Sequence, residues 1–289
     1  MISISSILFP VDLSEQSRAA APFVKAVAAR FNADVTLLHV VEVPPAWYGP
    51  TGEASFSAWV DMSGMKESRR IEMEGLATDA LEGVRVEPCI QSGDPAATIN
   101  RVAHQKQVGL IMMPTHGYGP VRSLLLGSVT AKVLHDAECP VWTAMLSHVR
   151  RDPAAPWLHF LCAIDTDPKE ASLVKWAAQF ASEQGAELRL VHAVSGFEPH
   201  QLNCPEDPLC EFVSNIARER IDKLQQQAGT RVKVTVAAGR TGQVVRNLAL
   251  SEQADLVIVG RGVIQKPLGR LRSNAYAIIR DAPCPVISL

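Results

Sequence analysis

The chain has 289 residues, 47% of them hydrophobic, and a formal net charge of −2. That length suits two domains rather than one, and the near-balanced charge argues against a nucleic-acid groove or an anionic membrane surface as the main partner. No stretch reaches the roughly 20 apolar residues of a membrane-spanning helix, and the start "MISISSILFPVD" lacks the basic segment of a secretory signal, so the expected location is cytoplasmic.

In chain order, short β-branched runs alternate with amphipathic stretches. Strands are predicted near 6–11, 35–41, 84–89, 109–113 and 140–144, and helices near 15–30, 66–81, 95–106 and 128–136. Between the second strand and the second helix, "PPAWYGPTGEASFSAW" at 44–59 reads as a long aromatic loop, able to cover a ligand or a partner surface or to be a mobile insertion. After "SHVRRDPAAPW", a polar proline-containing linker, strands are predicted near 159–164, 187–193, 232–237, 255–259 and 285–288. Asp167, Pro168 and Glu170 form an N-terminal capping pattern for a helix that buries Leu173, Trp176, Ala177 and Phe180 and closes at Gly185.

The second half repeats the first. Asp12 matches Asp165, Ala33 matches Ala186 and His39 matches His192 at an offset of 153; the 92–113 run matches 238–259 at offset 146, and "AECPV" matches "APCPV" at offset 145. Three blocks in one order indicate a duplicated domain. The expected fold class is α/β, two repeated doubly wound domains, each a parallel sheet with helices on both faces. The expected domains are residues 1–147 and 157–289, with 148–156 between them.

In such sheets ligands lie beyond the carboxyl ends of the strands, where the loops after the first and fourth strands meet. Here those loops are "VDLSEQS" and "MPTHGYGPVRSLLLGSVTAK". Asp12 can accept hydrogen bonds from a base or sugar, or simply orient the turn into the next helix. Gly117, Gly119 and Gly127 give a low-bulk wall, and a helix that opens on Ser128 offers free N–H groups to a phosphate. Together they describe a nucleotide site. Arg122 and His116 lie nearby without a catalytic pattern, whereas His39 and His192 read as satisfied strand histidines. His200, Cys204 and Cys210 match no common zinc spacing, so no metal is expected, and six cysteines without a C-x-x-C pair are expected to be reduced.

The G-x9-G-S spacing at Gly117, Gly127 and Ser128, the first strand "FPVDLSEQS", the second strand "LLHVVE" and the closing "CPVWT" resemble the universal stress protein family in its tandem form. The resemblance implies a five-stranded parallel sheet of order 3-2-1-4-5 and, in the nucleotide-binding branch, a bound ATP, with or without Mg. Carried onto this chain it implies Asp12 at the adenine or ribose, Val41 against the base, and Gly117, Gly127 and Ser128 around the phosphates. The first glycine of the family's loop falls on Pro114, which has no N–H to donate. In the second repeat Arg272 replaces the glycine before Ser273, so its phosphate loop reads as degenerate.

The resemblance further implies a regulatory or stress-response role with an adenine nucleotide and an unidentified protein as partners, and at most weak ATP hydrolysis. The related ATP pyrophosphatase loop "SGGxDS" is replaced here by "PVDLSEQS". A pure interaction module without nucleotide is the alternative. The apolar last strands "PVWTAM" and "PVISL" are expected to pair the two repeats as a pseudo-dimer, or two chains as a homodimer.

Overall fold

The computed structural model describes residues 2, 4–42, 56–115, 126–144, 152–194, 208–261 and 273–289, with only the backbone given for 56–63 and 273. The first repeat runs β1 (Ser6–Pro10), α1 (Glu15–Phe31), β2 (Asp34–Val41), α2 (Phe56–Ala80), β3 (Val86–Ser92), α3 (Pro95–Gln105), β4 (Leu110–Pro114), α4 (Ser128–Asp136) and β5 (Val141–Ala144). The second runs β6 (His159–Ala163), α5 (Ala171–Gln184), β7 (Glu187–Val194), α6 (Pro208–Ala228), β8 (Lys233–Ala238), α7 (Thr241–Ser251), β9 (Leu256–Val259), α8 (Ser273–Asp281) and β10 (Val286–Ser288). The chain divides into two compact units, and among the described residues the change falls between Val141 and Trp142, with Ile2 and Leu126 grouped with the later residues.

Within the first repeat the strand order is β3-β2-β1-β4-β5, and within the second β8-β7-β6-β9-β10. β1 is parallel to β2, with Ser6 opposite Asp34, and to β4, with Ile7 opposite Leu110. β6 is likewise parallel to β7 and β9. The reason is visible in the sequence of the central strands. Ile7, Leu8 and Phe9 are all fully buried although neighbouring side chains point to opposite faces, which requires helices on both sides of the sheet.

The helices begin and end where local chemistry dictates. Ser14 caps α1 by accepting from Ser17 N at 3.3 Å, and Asn32, at φ 50°, ends it in the left-handed conformation that asparagine tolerates. Asp94 caps α3 through Ala97 N at 2.9 Å. Asp167 accepts from Lys169 N at 3.0 Å and opens a short 3-10 turn over Pro168–Glu170 that leads into α5, which Gly185 closes at φ 68°. α5 buries Leu173, Val174, Ala177 and Phe180. Phe180 stacks on Phe160 with centroids 5.7 Å apart and on Trp176 at 4.8 Å. Each fully buried phenylalanine contributes about 2–3 kcal/mol by area alone.

Two expectations need correction. α2 starts at Phe56, ten residues before the predicted 66, so the last part of the expected 44–59 loop is helical. No proline follows Pro50 before Ala80, and Gly64, with open space where a Cβ would sit, does not interrupt the helix. Residues 43–55 lie outside the described residues. Cys89, Cys139, Cys162 and Cys284 are free thiols as expected, but Cys210, near the start of α6, is disulfide-bonded. Residues 145–151, which include the first part of the expected linker 148–156, also lie outside the described residues.

Candidate functional site

At the carboxyl end of β1 the chain turns sharply, and the turn is built around Asp12. Its Oδ1 accepts from Ser14 N at 3.0 Å and from Ser17 Oγ at 2.6 Å, while Asp12 N donates to Ser17 Oγ at 3.2 Å. Ser17 is buried and Asp12 exposed, so α1 reaches back to fix an outward-facing carboxylate. The backbone between them passes through φ 63° at Leu13, a left-handed conformation that leucine rarely adopts. Such an outlier persists only where the surroundings over-determine it.

β2 supports the same end of the sheet. His39 is buried, with Nδ1 2.8 Å from the carbonyl oxygen of Val11. A carbonyl can only accept, so Nδ1 carries the proton. His192 makes the same bond to Ile164 O at 3.0 Å, and both pairs are related by the offset of 153. The two histidines therefore clamp the ends of β1 and β6. Val41 is the last residue of β2; its side chain is buried and its carbonyl accepts from Gly93 N at 3.1 Å.

β4 ends at Pro114, and the chain returns at Gly127 to begin α4. Gly127 N donates to Thr115 O at 2.9 Å and Thr130 Oγ1 donates to Pro114 O at 3.2 Å, so the first turn of α4 is fastened to the end of β4. Gly127 is the N-cap, at φ −58° and ψ 145°, and among the described residues no side chain caps this helix, in contrast to α1 and α3. The first N–H groups of a helix have no partner within it, and the helix dipole places partial positive charge there. β1 and β4 are adjacent and parallel, so Asp12 and the start of α4 lie beyond the same end of neighbouring strands.

The second repeat has the same plan with different chemistry. Beyond the ends of β6, β7 and β9 lies a cavity of about 380 Å³. Ile164, Val194, Ile216 and Ile278 supply apolar lining, and Asp165, Glu170, His192 and Arg220 supply polar groups. Asp165 Oδ1 accepts from Thr166 N at 2.8 Å. Beneath the cavity, burial and then the negative charge of Glu170 push the Cys162 thiol well above its ordinary range, so it stays un-ionised.

The structure thus brings Asp12, Val41, Gly127 and Ser128 to one end of one sheet. Gly117 lies outside the described residues, as do Gly119, His116, Arg122, Arg272, His200 and Cys204. The reading of the sequence missed Ser14 and Ser17 as the partners of Asp12, although a serine two and five residues after an aspartate at a strand end is a turn-and-cap signal. It also missed Thr115 and Thr130. Nothing in the sequence signals the positive φ of Leu13, because leucine is not a residue chosen for that region.

A profile of the universal stress protein family matches residues 4–144 and again residues 157–288. The universal stress protein Rv2005c of Mycobacterium tuberculosis is 26% identical over 291 aligned positions, covering 96% of this chain and 94% of that protein. The universal stress protein MJ0531 of Methanocaldococcus jannaschii is 33% identical over 136 residues, 47% of this chain and 78% of its own length. A crystal structure of a universal stress protein from Archaeoglobus fulgidus superposes with a TM-score of 0.67 at 21% identity, over 99% of this chain and 96% of that one, and shares its fold.

Proposed function

Because the chain belongs to the universal stress protein family on both of its repeats, we propose that it is a nucleotide-responsive regulatory protein whose first repeat holds ATP. The observation that carries this reading is the start of α4, where Gly127 and Ser128 present a helix N-terminus without a side-chain cap beside the strand end that bears Asp12. Anions favour such a terminus through both its N–H groups and its dipole. The phosphates would lie against Gly127, Ser128 and Gly117, the absence of a side chain at the glycines letting the backbone approach them.

Asp12 has the opposite preference. A carboxylate accepts and does not donate, so it suits the hydroxyls of a ribose or the amine of a base and repels phosphate. Ser17 Oγ and Ser14 N already hold its orientation, so little freedom is lost when the ligand binds. Val41 is the apolar contact for the base. The reading assigns no catalytic residue and treats any hydrolysis as slow.

The test is mass spectrometry of small molecules released from the purified, denatured protein, followed by ATP titration. Asp12→Ala should weaken ATP binding roughly ten- to a hundredfold, the scale of about 1–3 kcal/mol for hydrogen bonds to a charged acceptor, and Asp165→Ala should leave it unchanged. No released nucleotide and no ATP binding would favour the interaction module instead. Equal losses from the two substitutions would remove the site from the first repeat.

A further inference from the structure

The outer strands of the two repeats, β3 and β8, hold matched places and differ in how their outer edge is guarded. Among the described residues each has one neighbouring strand, β3 lying beside β2 and β8 beside β7. Hydrogen bonds at the strand ends fix which backbone groups face that neighbour. Gly93 N donates to Val41 O at 3.1 Å and Gly239 N donates to Val194 O at 3.1 Å, so by the alternation of a parallel ladder Pro88 and Val234 both turn their backbone groups outward. Val232 obeys the same parity, its N–H going to Gln225 Oε1 of α6 at 2.5 Å and not to β7. Pro88 and Val234 are the same position at the offset of 146. Proline has no N–H, and Pro88 stands exposed on the outer side of β3, which stops a further strand from adding there. β8 has no proline, and its outward donors are the N–H groups of Val234, Val236 and Ala238. Its one charged residue, Lys233, lies at the start of the strand before the first of these donors and pairs with Glu187 Oε1 at 2.8 Å.

We propose that the outer edge of β8 docks a second copy of this chain, the two β8 strands pairing antiparallel about a twofold axis at Val236. In that register Val236 faces its own copy and Val234 faces Ala238 of the second copy on either side of the axis, so each facing pair exchanges two N–H···O bonds and all the outward donors are used. The side chains of these pairs share one face of the sheet; all are apolar and half-buried, as cross-strand partners need to be. On the other face Thr235 meets Ala237, and Lys233 meets Gly239, which has no side chain, so no two like charges stand opposite each other. Centring the axis on Val234 instead would spend a pair on Val232, whose N–H Gln225 already holds. The strand is thus its own complement in one register, the property an isologous contact requires. So short an edge makes a small interface, and the dimer forms and dissociates with concentration.

Sedimentation velocity of the full chain over a micromolar concentration series reads the dimer, and Val234→Pro, which installs the first repeat's residue, is the variant that tests its location. The substitution removes an outward N–H and leaves the bonds to β7 in place, so a circular dichroism melt should change little. The dissociation constant of the dimer should rise roughly tenfold or more, because the twofold removes the bond twice. Thr235→Pro, one position on, removes a bond to β7 and should lower the melting temperature, which checks the parity. Hydrogen exchange on wild type gives a reading without mutation: the amides of 234, 236 and 238 should gain protection as concentration rises, while those of 233, 235 and 237 are protected throughout. Should Val234→Pro fail to fold, that exchange measurement decides. A chain that stays monomeric at high micromolar concentration would overturn the proposal and leave the edge to a strand of another protein. A dimer indifferent to a folded Val234→Pro, or exchange at 234, 236 and 238 independent of concentration, would equally overturn it and move the contact to another surface.

Discussion

The second repeat is anchored by one buried carboxylate whose removal has a calculable cost. Asp255 precedes β9, is 7% exposed, and its Oδ2 accepts from Leu158 N at 2.6 Å and His159 N at 2.8 Å, fixing the chain as it enters β6. Its own N–H donates to His159 O at 2.8 Å. The first repeat solves the same problem without charge, since Gly109 N donates to both Ser6 O and Ser6 Oγ. A hydrogen bond to a charged partner contributes about 1.5–3 kcal/mol, so Asp255→Ala removes about 3–6 kcal/mol before relaxation. Leu158 is 47% exposed, so water can reach its freed N–H, and the net loss should settle at about 3 kcal/mol. Asp255→Asn keeps a neutral acceptor oxygen and should cost about half as much. Urea denaturation followed by tryptophan fluorescence is the assay, because Trp157 sits next to Leu158 and packs on Phe160 with centroids 5.7 Å apart. Hydrogen exchange at 158 and 159 should accelerate in parallel. A loss below about 1 kcal/mol for Asp255→Ala would refute the anchoring role.

Two smaller predictions follow from close contacts and charge. At Gly242, the start of α7 comes so near α8 that a Cβ would lie 2.7 Å from Asp281 Oδ2 and 3.1 Å from Ala277 O; Arg280 already holds that carboxylate, so Gly242→Ala should cost about 1–2 kcal/mol in a chemical denaturation series despite alanine's better helix propensity. The matched residue Ala96 is buried, so Ala96→Gly should also destabilise, by about 1 kcal/mol, and a stabilising Gly242→Ala would show that the two helices separate without cost. The Asp94 carboxyl is held below its ordinary range, first by the N–H of Ala97 and then by Lys132. Its contribution is complete above the unfolded carboxylate pKa and is lost as pH falls through the lower folded value, so Asp94→Asn should flatten the decline in melting temperature below roughly pH 4.

Much of this architecture is legible in the residues because the repeat supplies an internal comparison. β1, β2 and α4 are found within a residue or two of their expected bounds, since continuous apolar runs and a helix-opening serine are local signals. The start of α2 is not legible: Phe56, Trp59 and Val60 recur at helical spacing, but they continue an aromatic, glycine-containing run, and Gly64, a poor helix residue, separates them from the stretch at 66–81. Asp12 and Val41 are legible as strand-end positions, but Ser17 as the hydroxyl that fixes Asp12 depends on how α1 folds back, which is a tertiary fact.

The central claim is that ATP lies against the backbone at the start of α4, and Gly127→Arg tests it most directly. Gly127 has φ −58° and ψ 145°, a conformation open to any L-residue, and its N–H bond to Thr115 O does not depend on the side chain, so the substitution need not strain the backbone. An arginine there fills the space a phosphate needs, and its charge cannot replace the lost N–H geometry. ATP titration by calorimetry, with circular dichroism and a melting curve to verify the fold, should show binding to wild type and none measurable to the folded variant. A folded Gly127→Arg protein that binds ATP as tightly as wild type would contradict the claim.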